Sequence, residues 1–95
     1  MYYVYILHCA DGSYYTGVTN DVELRVAQHQ AGEDPKAYTY KRRPLRLAYT
    51  EYHTDILQAI AREKQVKRWS KAKKVALIAG KESELVRLAK RRGGR

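Results

Sequence analysis

The chain has 95 residues, 44% of them hydrophobic, which suffices for one modest core and excludes both a second domain and a disordered chain. Nineteen Lys and Arg against ten Asp and Glu give a net charge of +9, which favours a polyanionic partner. Nucleic acid ranks first, then an anionic membrane or an acidic protein, with plain solubility as the competing reading. The single cysteine, Cys9, excludes an internal disulfide and leaves no Cys/His spacing for a zinc site, so it reads as a small strand residue.

Residues 2–8 are rich in aromatic and β-branched side chains and read as a strand. Ala10-Asp11-Gly12 is a turn, and residues 13–18 resume the strand pattern, making a hairpin. Asn20 suits an N-cap, with Glu23 three residues later as in a capping box, so a helix is expected over 21–31, stopping at Gly32. Residues 33–44 form a polar connection broken by Pro35 and Pro44. Leu45, Leu47 and Tyr49 then alternate with Arg46 and Thr50, which predicts a third strand over 45–52. Thr54 or Asp55 caps a second helix running to about Trp69. Ser70 caps a third that ends at Gly80, and residues 82–92 read as a fourth. The order β-β-α-β-α-α-α predicts an α+β fold, a small, largely antiparallel three-stranded sheet flanked by helices. Residues 1–95 read as one domain, with a core over 2–80 and a basic helix and tail over 81–95. The N-terminus lacks signal-peptide features, and no apolar run approaches a membrane span, so a cytoplasmic location is expected.

Glu63 is the most informative residue. At 100° per residue, Ile56, Ala59, Ile60 and Val66 cluster on one side of the second helix, and Glu63 falls in that stripe. Charges are seldom buried unless paired or metal-bound. Glu63 is therefore either a carboxylate paired with an Arg or a tyrosine hydroxyl, or a metal ligand facing a cleft. Arg25 and His29, four apart on the first helix, share a face flanked by Val22 and Val26. They could grip a phosphate and handle a proton, or be two solvated side chains.

From Arg62 to Lys74 there are seven basic residues (Arg62, Lys64, Lys67, Arg68, Lys71, Lys73 and Lys74) and one acid, Glu63. This is either a phosphate-contacting surface or a solvated helix face. Trp69 within it reads as core before it reads as a base-stacking platform. Lys90-Arg91-Arg92 with Arg95 forms a second basic cluster.

These residues together resemble the GIY-YIG nucleases. Tyr3-Val4-Tyr5 and Tyr15-Thr16-Gly17 resemble the two motifs that name the family, and their spacing suits it. Thr19 to Leu24, then Arg25 and His29, look like the signature that follows the second motif. Glu63, in Ala61-Arg62-Glu63-Lys64, lies where the family carries its metal-binding glutamate. Lys41-Arg42-Arg43-Pro44-Leu45 resembles the small stand-alone bacterial members. The likeness spans about residues 2–80. The chain departs from the pattern at Tyr3, in place of the first Gly, and at Thr16, in place of Ile. It has Val18 where relatives such as the incision subunit of bacterial excision repair carry a lysine.

The resemblance implies a metal-dependent endonuclease that hydrolyses DNA phosphodiester bonds, in repair or recombination. One Mg²⁺ (or Mn²⁺) would sit on Glu63 and the scissile phosphate, with Arg25 neutralising phosphate charge. Tyr15 would act as general base, helped by Tyr5 or His29. A tyrosine is a poor base unless a nearby cation lowers its pKa, and the alternative for both tyrosines is ordinary strand packing. Arg42, Arg43, Lys67, Arg68, Lys71 and Lys74 are the expected nucleic-acid contacts, with DNA favoured over RNA. No membrane partner is expected. A protein partner could supply extra DNA binding, and the chain would be a monomer or weak dimer. The rival readings are a non-catalytic nucleic-acid-binding module that keeps the fold, and an RNA- or ribosome-associated protein. The hairpin offers a geometric test. A three-residue Ala10-Asp11-Gly12 loop, with Gly12 left-handed, pairs Cys9 with Ser13 and puts Tyr5 and Tyr15 on one face; a two-residue loop sets them apart. The three-residue loop is the expectation.

Overall fold

The computed structural model describes residues 1–80. The predicted fourth helix and the Lys90-Arg91-Arg92-Arg95 cluster lie outside the described residues. The elements are β1 (Tyr2–Cys9), β2 (Tyr14–Thr19), α1 (Val22–Ala31), a 3₁₀ turn η1 (Tyr40–Arg42), β3 (Leu45–His53), α2 (Ile56–Lys67) and α3 (Lys71–Ile78). The sheet is antiparallel throughout, in the order β2-β1-β3, so β1 is central and Val4 to Leu7 are fully covered.

The hairpin takes the three-residue loop. Cys9 N–H donates to the Ser13 carbonyl at 2.9 Å, Gly12 N–H donates to the Cys9 carbonyl at 2.9 Å, and Gly12 has φ 88°. Leu7 therefore pairs with Tyr15 and Tyr5 with Gly17, which sets Tyr5 and Tyr15 on the same face.

Two cores form, one on each face of the sheet. Tyr5, Leu7, Cys9 and Leu45 pack on the α1 side with Tyr15 and Val26. Ile6, Val66 and Leu77 pack on the other side with Tyr14, Tyr49, Trp69 and Ile78 from β2, β3 and the α2–α3 pair. Trp69 is thus part of a core, half-buried between the Arg62 guanidinium at 5.1 Å and the Lys73 ammonium at 4.4 Å from its ring centroid.

Three local readings are corrected. The cap of α1 is Asp21, whose Oδ1 accepts from Leu24 N–H at 3.1 Å, and Asn20 is exposed outside the helix. Either residue can cap; the Thr19 hydroxyl, bonded to the Asp21 N–H and carbonyl, fixes the start one residue later. Leu45, Leu47 and Tyr49 do not share a face. The pairing of β1 with β3 shifts between Ile6 and Leu7, so Leu47 opposes Leu7 on the α1 side and Tyr49 opposes Ile6 on the α2 side. A bulge at Ala48 inserts one residue and reverses the alternation, which periodicity alone cannot register. Finally, α2 ends at Lys67, and Ile56 at its start is 38% exposed, so the inward stripe consists of Ala59 and Val66 with Ile60 half-covered.

The remaining caps follow local chemistry. Asp55, of the two candidates, accepts from Leu57 N–H at 3.1 Å, and Ser70 accepts from Lys73 N–H at 3.2 Å. Gly32 closes α1 in the left-handed conformation, φ 67°. Among the described residues no helix is long and apolar enough to cross a membrane.

Candidate active site

β2 is an edge strand, and the predicted chemical groups gather beside it. Tyr5 projects from central β1 and lies across Gly17, its partner on β2. A Cβ at Gly17 would stand 2.5 Å from Tyr5 Oη and 2.6 Å from Cζ, so only glycine lets the ring through. Tyr5 Oη then lies 3.0 Å from His29 Nε2 on α1. The Tyr15 ring centroid is 6.3 Å from that of Tyr5 and 5.2 Å from the His29 imidazole. Arg25, one turn before His29, is exposed and lines the same cleft of about 350 Å³. Among the described residues no carboxylate pairs with it.

Thr39, from the connection before β3, completes the cluster. It is 1% exposed, and its Oγ1 is 2.8 Å from His29 Nδ1. Nothing in the local sequence marks Thr39 or Gly17 as partners of Tyr5 and His29; the signal exists only as the register opposite Tyr5 and the return of a loop over α1.

Glu63 enters from α2, which packs on the other face of the sheet. Its side chain is 12% exposed, as its place in the apolar stripe implies, and its Oε2 is 3.2 Å from Lys67 Nζ. The partner is thus neither of the kinds foreseen: it is a lysine one turn on, itself 57% exposed. Lys67 Nζ also lies 5.9 Å from the Tyr15 ring centroid, which places this carboxylate–ammonium pair at the β2 edge of the cleft.

Burial pushes the Tyr5 hydroxyl pKa well above the usual tyrosine value; Tyr15 and the Glu63 charge push the same way, and Arg25 opposes them. Tyr5 is therefore a neutral phenol at physiological pH. Burial and then the Arg25 charge lower the His29 pKa, so its imidazole is neutral as well.

Among the described residues no three His, Cys, Asp or Glu side chains gather into a metal cage. Glu63, paired with Lys67 beside the cleft that Tyr15 and Arg25 line, offers one carboxylate whose charge reaches the Tyr5 hydroxyl. That donor set suits a hard cation such as Mg²⁺, which keeps several waters and takes one or two protein carboxylates with substrate phosphate oxygens. It does not suit zinc, which wants three or four protein ligands.

The basic residues divide. Lys67, Lys71 and Lys74 lie at the α2–α3 corner: Lys71 Nζ is 6.0 Å from the Tyr14 ring centroid, and burial, then the Lys67 charge, lowers the Lys74 pKa. Arg68, the C-cap of α2, is exposed on another side, beside Lys64 and Trp69. Two of the seven basic residues are committed elsewhere. Arg62 donates to both oxygens of Glu51 on β3, and Lys73 is buried against Trp69. Arg42 and Arg43 also spend donors within the protein. Arg42 bonds Asp11 Oδ2 at 3.1 Å and the Tyr38 carbonyl at 2.7 Å, and Arg43 bonds the Tyr40 carbonyl at 2.9 Å and the Gln30 carbonyl at 3.2 Å.

The chain is similar to known proteins over most of its length. The profile of the GIY-YIG catalytic domain matches residues 1–76. A UPF0213 protein of Halobacterium salinarum is 47% identical over 78 residues, covering 82% of this chain and all of the relative. One from Natronomonas pharaonis is 49% identical over 78 residues, covering 82% of this chain and 91% of the relative. The solution NMR structure of the UPF0213 protein BH0048 from Bacillus halodurans, 43% identical, aligns with a TM-score of 0.55 over 85% of this chain and 86% of that one.

Proposed function

The chain belongs to the GIY-YIG family, a family of nuclease type, and from that premise we propose that it is a divalent-metal-dependent endonuclease that hydrolyses DNA phosphodiester bonds. The observation that carries this reading is the convergence, at one sheet edge, of Tyr5, Tyr15, Arg25 and His29 with the nearly covered carboxylate of Glu63.

Each group has a role its environment suits. Glu63 holds the cation, which supplies positive charge to the phosphate when bound. Arg25, exposed and without a carboxylate partner among the described residues, grips a phosphate oxygen and stabilises charge developing there. Tyr15 accepts the proton of the attacking water as general base. Tyr5 does not serve as that base, because its buried phenol holds its proton; it acts as a hydrogen-bond donor with His29 behind it. Lys67, Lys71 and Lys74 continue the positive surface away from the cleft and contact the DNA backbone, with Arg68 and the guanidiniums of Arg42 and Arg43 farther out. A branched, flapped or damaged duplex, as in repair or recombination, is the substrate class of this reading, and a protein partner would add DNA contacts.

The test is cleavage of labelled single-stranded, duplex, flap and branched DNA in Mg²⁺ or Mn²⁺, beside Glu63→Gln. Metal-dependent cutting that falls by about 100-fold or more in the variant, with DNA affinity kept within a few-fold, is the expected outcome. Equal binding and no cutting by the parent protein on every substrate and metal would instead identify a binding module that retains the fold.

A further inference from the structure

We infer that Thr39 is a positioning residue for this site: its buried hydroxyl donates to His29 Nδ1, sets the imidazole proton on Nε2, and so turns the Tyr5 proton toward Tyr15 instead of toward His29. The inference rests on the nuclease reading for its consequence, though not for its geometry.

Thr39 occupies the N-cap position of the 3₁₀ turn, where a threonine ordinarily bonds its own backbone, yet its side chain makes no capping bond. The hydroxyl instead faces α1, 2.8 Å from His29 Nδ1, with the residue 1% exposed. Among the described residues it has no other side-chain hydrogen bond. A threonine hydroxyl has one proton to give and two lone pairs to offer. If Nδ1 carried the imidazole proton, the Thr39 O–H would be left buried without an acceptor. If Nδ1 is unprotonated, the O–H is satisfied and only a lone pair is spare, which costs less.

A neutral imidazole holds one proton, so protonation then falls to Nε2, which donates to Tyr5 Oη at 3.0 Å. Burial and Arg25 keep that ring neutral. Tyr5 Oη then accepts from His29, which leaves its own O–H to turn away from the imidazole, toward the side where the Tyr15 ring centroid lies 6.3 Å away. The Thr39–His29–Tyr5 chain thus supports a fixed donor direction for Tyr5, toward the side of the cleft where Tyr15 stands. The opposite tautomer would make His29 an acceptor for Tyr5 and withdraw that support.

The experiment is a long-range ¹⁵N–¹H correlation NMR spectrum of the labelled full chain at neutral pH, which reads the His29 tautomer directly and needs no activity. The expected result is Nε2–H as the dominant form. Nδ1–H as the dominant form would overturn the inference, whatever the enzyme does. Steady-state cleavage supplies the second arm. Thr39→Val is expected to lower kcat by about 10- to 100-fold with KM nearly unchanged, whereas Thr39→Ser, which keeps the hydroxyl, stays within a few-fold of the parent protein. Parent-like kcat in Thr39→Val, or equal losses in both variants, would equally overturn it. If the parent protein cuts no DNA, the nuclease reading fails, and the tautomer spectrum still decides the geometry.

Discussion

Tyr5 reaches His29 because Gly17 has no side chain. Replacing Gly17 with Ala places a methyl group 2.5 Å from the Tyr5 hydroxyl, and the ring must leave its position or β2 must move. Overpacking at a covered site costs about 1–3 kcal/mol. Gly17→Ala should therefore melt earlier and also lose cleavage more steeply than its stability loss explains; unchanged melting and cleavage would show that the ring can relocate freely. Its neighbour Thr16 makes the opposite case. Thr16 points to the α2 side of the sheet, is 1% exposed, and its Oγ1 has no hydrogen-bond partner among the described residues. A buried unsatisfied hydroxyl costs about 1–3 kcal/mol, so Thr16→Val should stabilise the protein by about 1 kcal/mol in urea unfolding while leaving cleavage intact. Destabilisation would mean that the hydroxyl has a water or other partner. Glu63 stood out in the sequence because a carboxylate fell within an apolar stripe, whereas Tyr5, Tyr15, Arg25 and His29 were singled out by their resemblance to the GIY-YIG motifs, their spacing alone being ordinary. Thr39 and Lys67 were not legible in their roles, since a loop threonine and a lysine in a basic helix have many ordinary explanations.

Among the elements, α2 carries the most consequential orientation. It must bury Ala59 and Val66 while aiming Glu63 at the β2 edge, and adjacent Arg62 ties it to β3 through Glu51. Glu51 also accepts from the Tyr49 hydroxyl at 2.8 Å and from His53 at 2.6 Å. Burial alone would raise the Glu51 pKa, but the bonds from Arg62, His53 and Tyr49 outweigh it and hold the carboxyl below its ordinary 4.5. Burial and then the bond to Glu51 push the Tyr49 hydroxyl up to about 12. A depressed carboxyl stabilises the fold above its unfolded pKa, and that contribution is lost as pH falls through the folded value. Arg62→Met keeps the stem and removes the guanidinium, so it should cost about 1–2 kcal/mol near neutral pH. The gap between variant and parent should narrow once the pH falls well below 4.5, because Glu51 is then neutral in both. Urea titrations at the two pH extremes measure this; a gap that stays constant would remove Glu51 from the account. The sequence marked α2 by its cap and apolar spacing. It could not show the Arg62–Glu51 bond, whose partners are eleven residues apart and meet only after β3 and α2 dock.

At the scale of the whole molecule, the two faces of the sheet divide the labour. The α1 side shelters the tyrosine–histidine cluster, and the α2–α3 side delivers Glu63 and a cationic corner to the same edge. Binding to DNA through Lys67, Lys71 and Lys74 releases counterions, so affinity falls linearly in log–log form with salt. Lys71→Ala and Lys74→Ala should each lower that slope by about 1, measured by fluorescence anisotropy over a salt series with one labelled duplex. A slope untouched by either change would place the phosphate path elsewhere. Arg62 and Lys73 are different in kind: replacing them should show first in stability, because one is bonded to Glu51 and the other lies against Trp69.

The sequence by itself determined the order of strands and helices over residues 1–80, the three-residue hairpin that puts Tyr5 and Tyr15 on one face, and the nearly covered carboxylate of Glu63. These follow from local turn chemistry and from periodicity, which act over a few residues. Tertiary structure alone decided that Tyr49 crosses to the α2 side at the bulge, that Lys67 closes on Glu63, and that Thr39 stands behind His29. Each depends on which segments of chain come together when the sheet and helices dock, and on the cost of leaving a charge or hydroxyl unpaired once water has gone. That cost is absent from any short window of sequence and appears only in the packed interior.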